Sequence, residues 1–180
     1  MFRTPRCMRT GPTHSHEDTH AMHEDSHVPD AVLRDAYLAA EYVVPLGGRL
    51  CRFRAGVLPP EPLASWLGEH GPAGWLSAFN PGSRRLPVLE NLRRHQRLWG
   101  RLRDLGVAAW VGYAVDPAGE WPDETGFLVP GIGLPQLNRV ALDFGQAAVL
   151  WLQPARATQL LFCQPDGPCD AEAVGERPAP

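Results

Sequence analysis

The sequence predicts a single α/β domain, with α+β as the alternative, built on a mixed sheet of about six strands covered by helices. Three observations predict it. A chain of 180 residues that is 44% hydrophobic has the length of one domain and enough apolar surface to bury a core. Helical and β-type patterns interleave in the order α-β-α-β-α-β-β-α-β-β. Polar ends with little that can pack enclose these patterns: residues 1–28 read as a disordered His-rich tail and residues 165–180 as a disordered Pro-rich one, leaving 29–164 as the domain.

Each element has its own signal. Residues 30–42, DAVLRDAYLAAEY, open on Asp30 as an N-cap and set Val32, Leu33, Ala36, Tyr37 and Ala40 on one helical face. Gly47-Gly48 turns the chain into a strand over 49–55, where Cys51 and Phe53 alternate with Leu50, Arg52 and Arg54. A short helix over 59–69 ends at His70-Gly71-Pro72. Residues 74–79, GWLSAF, read as a buried strand that stops at Asn80-Pro81-Gly82-Ser83. The longest helix runs over 87–105, from Pro87 to the Gly106 stop, with Val88, Leu92, Trp99 and Leu102 on its apolar side. A strand over 107–115 and a hairpin partner over 125–129 flank the Asp116-Pro117-Ala118-Gly119 turn. A helix over 134–144 and strands over 147–152 and 158–162 complete the core.

Composition narrows the function classes. A net charge of −3 does not mark a general nucleic-acid binder. All 17 basic residues are arginines, which excludes a lysine nucleophile, a Schiff-base lysine and a P-loop lysine. Cys7, Cys51, Cys163 and Cys169 form neither a CxxC pair nor a zinc-ribbon spacing. The first residues lack the apolar segment of a secretory signal, and no apolar run approaches the roughly 20 residues that span a bilayer. The expectation is a cytoplasmic protein with free thiols and no membrane partner. No cofactor is identified. Only His70 and His95 lie outside the His-rich tail, and the chain contains no GxSxG, HExxH or GxxxxGK[ST] motif.

The best candidate for a site is the strand–turn–helix from Asn80 to Asn91. A buried strand that breaks at Asn-Pro-Gly-Ser sets backbone N–H groups, the Asn80 amide and the Ser83 hydroxyl at the sheet's edge, where ligands of open α/β sheets sit. The following helix turns its positive end toward the same space, which suits an anionic group. The same tetrapeptide is also a tight turn that needs no ligand. Glu90 is a candidate general base or metal ligand, or else a cap of the helix N-terminus or a partner for Arg93 or Arg94 three and four residues on. Asn91 is a poor helix former on this helix and is either a ligand contact or a buried side chain bonded to the Asn80 turn. Trp121 and Glu124 lie between two strands, where a tryptophan stacks on a planar group and a carboxylate acts as acid or base. A loop tryptophan covering the core is the structural alternative. Gln146, just before a strand, orients a ligand or satisfies backbone groups.

Arg93, Arg97 and Arg101 repeat at i, i+4 and form an anion-attracting face, or simply a solvated one. In the tail, His16, His20, His23 and His27 fall on one face of a helical register, with spacings suited to adventitious, weak binding of a divalent metal.

Several short motifs recur together in one order: Ala36-Tyr37-Leu38 with Tyr42, Ser77 to Ser83, Glu90-Asn91, Trp121-Pro122-Asp123-Glu124 before Phe127, and Phe144 to Ala148. In them the chain resembles an uncharacterised bacterial family, the domain of unknown function 3293, over about residues 35–163. The family tends to carry a hydroxyl where this chain has Pro87 and a serine where it has Gly126, so the resemblance implies no serine nucleophile at that second position here. It implies a fold and a site and carries no reaction.

The functional expectation is binding of a small anionic or nucleotide-like ligand at the Asn80 turn and the helix N-terminus, with turnover left open. The alternative is a non-enzymatic interaction module whose arginine face takes an acidic protein or RNA, nucleic acid being the less expected partner.

Overall fold

Every strand pairing in the sheet is antiparallel. The computed structural model describes residues 31–165 and 170–171. Within them the helices are α1 (Ala31–Ala39), α2 (Leu63–His70), α3 (Val88–Asp104) and α4 (Leu134–Asp143). The strands are β1 (Glu41–Leu46), β2 (Arg49–Phe53), β3 (Ala73–Ser77), β4 (Trp110–Val115), β5 (Glu124–Pro130), β6 (Ala148–Leu152), β7 (Gln159–Phe162) and a two-residue β8 (Asp170–Ala171). They form one sheet in the order β2-β1-β4-β5-β3-β6-β7-β8. The domain is therefore mixed α+β, the alternative form of the expected class, and the sheet is antiparallel where a mixed one was expected.

The largest departure from the sequence reading is β1. Residues 41 and 42 were expected to end the first helix, yet that helix stops at Ala39 and the chain runs straight into a strand. Tyr42, Val43 and Val44 are aromatic and β-branched, and all three are buried. Gly47 and Gly48, at φ +54° and +77°, then make a two-residue hairpin that pairs Leu46 with Arg49. The alternation read in β2 is present: Cys51 and Phe53 are buried while Leu50 is exposed. Two helical faces differ from expectation. Helix α1 buries no residue fully and leaves Val32 exposed, with Tyr37 and Leu38 as its packing contacts. Helix α3 is rolled so that Asn91, Leu98 and Leu102 face inward, which exposes Val88 and Leu92 and half-exposes Trp99.

Two apolar layers hold the sheet. Helices α1 and α2 cover one face, with Leu63 and Leu67 packing on Tyr42, Phe53 and Trp75. Helices α3 and α4 cover the other, with Leu98, Leu102, Leu137 and Val140 packing on Leu76, Phe127 and Val149. Strand β3 lies between β5 and β6 and is buried at all five positions, so its end is the natural place for a pocket walled by neighbouring strands. Among the described residues no helix is long and apolar enough to cross a membrane.

Candidate functional site

The chain leaves β3 through a run of left-handed backbone. Asn80 has φ +45° and ψ +58°, and Gly82 and Ser83 follow at φ +60° and +57°. Asparagine and glycine tolerate this region; serine does so at a cost, so the surrounding contacts must hold it. They do. The buried Asn80 donates its backbone N–H to Asn91 Oδ1 at 2.9 Å. Its Oδ1 accepts from the Leu86 N–H at 2.9 Å and from Asn91 Nδ2 at 2.8 Å. Its Nδ2 donates to Glu124 Oε1 at 2.7 Å. On either side, Arg94 Nε donates to the Ala78 carbonyl at 2.7 Å and Gln146 Nε2 to the Phe79 carbonyl at 2.9 Å.

Glu124 opens β5 and is held from two directions. Trp121 Nε1 donates to its Oε1 at 2.7 Å, the same oxygen that takes the Asn80 amide. Burial pushes the Glu124 carboxyl up from its ordinary pKa, and the two donated hydrogen bonds only partly offset that. Trp121 is set in turn by Asp116, whose carboxylate accepts the backbone N–H groups of Ala118, Glu120 and Trp121 at 2.9 to 3.0 Å. Those bonds hold the Asp116 carboxyl below its usual range. The Arg85 guanidinium lies 4.9 Å from the Trp121 ring centre and donates to the Glu120 carbonyl.

These groups line a cavity of about 530 Å³, within the roughly 300–1,000 Å³ span of small-molecule sites. Its wall gathers Asn80, Ser83, Trp121, Glu124 and Gln146 from three separate stretches of chain. Tyr37, Tyr42 and Trp75 supply the aromatic part of the lining. The Tyr37 phenol is in hydrogen-bonding reach of Ser83, and burial pushes its pKa up to about 12. Trp75 lies where two paired glycines make room: a Cβ on Gly112 would sit 2.9 Å from the indole, and one on Gly126 2.7 Å from it. The indole thus occupies the space that a serine at position 126 would need.

Other candidates lie elsewhere. Glu90 is off the cavity and faces Arg93 at 4.0 Å and Arg97 at 3.6 Å, while Arg94, its other expected partner, turns to the Ala78 and Phe144 carbonyls. Asn91 holds the Asn80 turn from behind and does not line the cavity. Arg93, Arg97 and Arg101 are exposed on α3. No residue of α3 lines the cavity, so the helix N-terminus does not face it as expected. The rule for open α/β sheets does not apply either, because antiparallel strands share no common carboxyl edge; the cavity sits where β3 ends and β5 and β6 begin. The four tail histidines fall outside the described residues, among which no cluster of His, Cys, Asp and Glu could hold a metal.

The sequence reading missed Tyr37, Tyr42, Arg85 and Asp116 as part of the site. Both tyrosines belong to the first of the motifs that carry the family resemblance, Tyr37 on the apolar face of the expected helix and Tyr42 at its end; Asp116 is legible only as a turn residue, without its reach to Trp121.

The model of the family described as protein of unknown function (DUF3293) matches residues 76–149. That stretch runs from the end of β3 to the start of β6 and contains Asn80, Asn91, Trp121, Glu124 and Gln146. Neither a curated protein nor a solved structure matches the chain. The segment that matches this family of proteins of unknown function is thus the one that carries the Asn80–Glu124–Trp121 constellation.

Proposed function

We propose that the domain binds a small nucleotide-like ligand in the cavity beside Asn80, with a planar ring against the aromatic lining and an anionic substituent directed at Arg85. The observation that carries this reading is convergence. Five side chains with polar groups, scattered from residue 80 to residue 146, line one cavity together with the rings of Tyr37, Tyr42 and Trp75. Among the described residues Arg85 is the one guanidinium on that lining, so it replaces the α3 N-terminus as the group for an anion. Glu124 is the carboxyl with its pKa raised there, and it is the group placed to exchange a proton with a bound ligand. The arginine face of α3 is the weaker reading, because Glu90 partly neutralises Arg93 and Arg97.

A thermal-shift panel on the full chain tests this, with nucleoside monophosphates, sugar phosphates, small carboxylates, divalent metals and a short RNA. Binding at a hundredfold excess over Kd stabilises the native state by about 2.7 kcal/mol. The expected result is a rise in Tm with nucleotides that Trp121→Ala removes. A rise with RNA alone, lost in Arg97→Glu, moves the function to the helix face.

A further inference from the structure

The cavity's polar groups differ in whether they are already used. Glu124 receives both of its hydrogen bonds on Oε1, so Oε2 accepts nothing from the described residues. Gln146 spends its Nε2 on the Phe79 carbonyl, which leaves Oε1 without a donor. Neither oxygen is among the buried polar atoms sealed away without a partner, and both belong to residues that line the cavity. The donors nearby are mostly committed: Asn80 Nδ2 and Trp121 Nε1 to Glu124, and the Ser77 hydroxyl to the Thr125 carbonyl at 2.8 Å. The lining is also acidic, with Asp35, Asp116, Glu120 and Glu124 against the single Arg85.

The two acceptor-bearing residues line the same cavity and anchor on neighbouring residues of one turn. Glu124 begins β5 and Gln146 precedes β6, the two strands on either side of β3, whose backbones stand about 10 Å apart across three strands. Both side chains lean inward, onto the consecutive residues Asn80 and Phe79. Two acceptors set this way, beside aromatic walls, match the edge of a flat ring that presents adjacent N–H groups. A ring edge of acceptors would meet unpaired oxygens and a carboxylate instead.

Building on the nucleotide-like reading above, we propose that the site selects a heterocycle with a donor edge, the 2-amino-4-oxopyrimidine edge found in guanine, which offers a ring N–H and an exocyclic amine to Glu124 Oε2 and Gln146 Oε1. The contacts that hold Glu124 fix which of its oxygens is offered. Selectivity therefore rests on a carboxylate that is positioned before the ligand arrives.

Guanosine, inosine and adenosine titrated into the full chain, read by tryptophan fluorescence, test the proposal. Inosine lacks only the exocyclic amine. The expected result is guanosine binding about tenfold or more tighter than either of the others, a margin set by leaving a buried acceptor unmatched. Glu124→Gln keeps an oxygen for Asn80 and Trp121 but turns an amide N–H₂ toward the ring, and it is expected to abolish the guanosine preference while the circular dichroism stays native and the Tm does not fall. Equal binding of guanosine and inosine, or an unchanged preference in Glu124→Gln, overturns the donor-edge proposal and leaves nucleotide binding standing. Absence of binding by all three nucleosides and by their monophosphates overturns both.

Discussion

Asn80 and Asn91 hold each other face to face: the Asn80 N–H reaches Asn91 Oδ1 at 2.9 Å and Asn91 Nδ2 returns to Asn80 Oδ1 at 2.8 Å. The pair spans the step from β3 to α3 and fixes the left-handed turn on which Glu124 rests. Asn91→Ala leaves the buried Asn80 N–H without an acceptor and is expected to cost about 1–3 kcal/mol in urea denaturation. Asn91→Asp is expected to be no better, since a carboxylate would face Asn80 Oδ1. Full stability in Asn91→Asp would show that the turn holds itself.

Glu124 gives stability a dependence on pH. Its folded-state pKa is raised, so the native state binds the proton more tightly than the unfolded chain. That contribution is present below the ordinary carboxyl range and is lost as pH rises through the folded pKa. Glu124→Gln, which mimics the neutral acid, is expected to match the wild type in acid and to exceed it at neutral pH. Parallel stability profiles of the two proteins would show that the carboxylate is not penalised by its burial.

His95 works in the opposite direction. Its ring stacks on Phe127 at 4.3 Å, its Nδ1 is buried without a partner, and burial lowers its pKa. Stability from this residue is present above its ordinary pKa near 6.5 and falls away as pH drops through the folded value. His95→Phe keeps the stacking and is expected to flatten this acid limb. Equilibrium denaturation at several pH values between 5 and 8 measures the change, and an unaltered slope would assign the limb to other groups.

At Gly126 the constraint is steric. A methyl group there meets the Trp75 indole at 2.7 Å and the Leu76 carbonyl at 2.9 Å. Gly126→Ala is expected to cost about 1–3 kcal/mol and to change the near-ultraviolet dichroism of Trp75, because the ring must move or the strands must part. Unchanged values for both would show that the indole moves aside freely.

Most of the fold was legible because most of its elements carry their own periodicity. Helix α3 was bounded by Pro87 and Gly106, and β2 by its alternation of Cys51 and Phe53 with arginines. What escaped depended on long-range partners. β1 was hidden because Glu41 and Tyr42 continue a helical pattern, and only pairing with β2 and β4 makes them a strand. The roll of α3 follows from Asn91 taking an inward position to bind Asn80, which hydrophobic spacing alone cannot show. Asn80, Ser83, Trp121, Glu124 and Gln146 were legible as polar residues at chain breaks. Their meeting, and the division of labour that left Glu90 with arginines outside, depends on the order of strands in the sheet.

That order also bears on how the chain is made. Strand β3 is buried at every position, and both strands that flank it, β5 and β6, come later in the sequence. A ribosome that has released residues 73–77 has therefore exposed β3 with neither of its flanking strands to pair with, and the wait lasts until residue 152 has emerged. During that interval the nascent chain offers two bare apolar edges, the kind of segment that chaperones shield and that aggregates when they do not. The cavity is thus among the last features to form, and truncation within α4 would remove the β6 part of its wall.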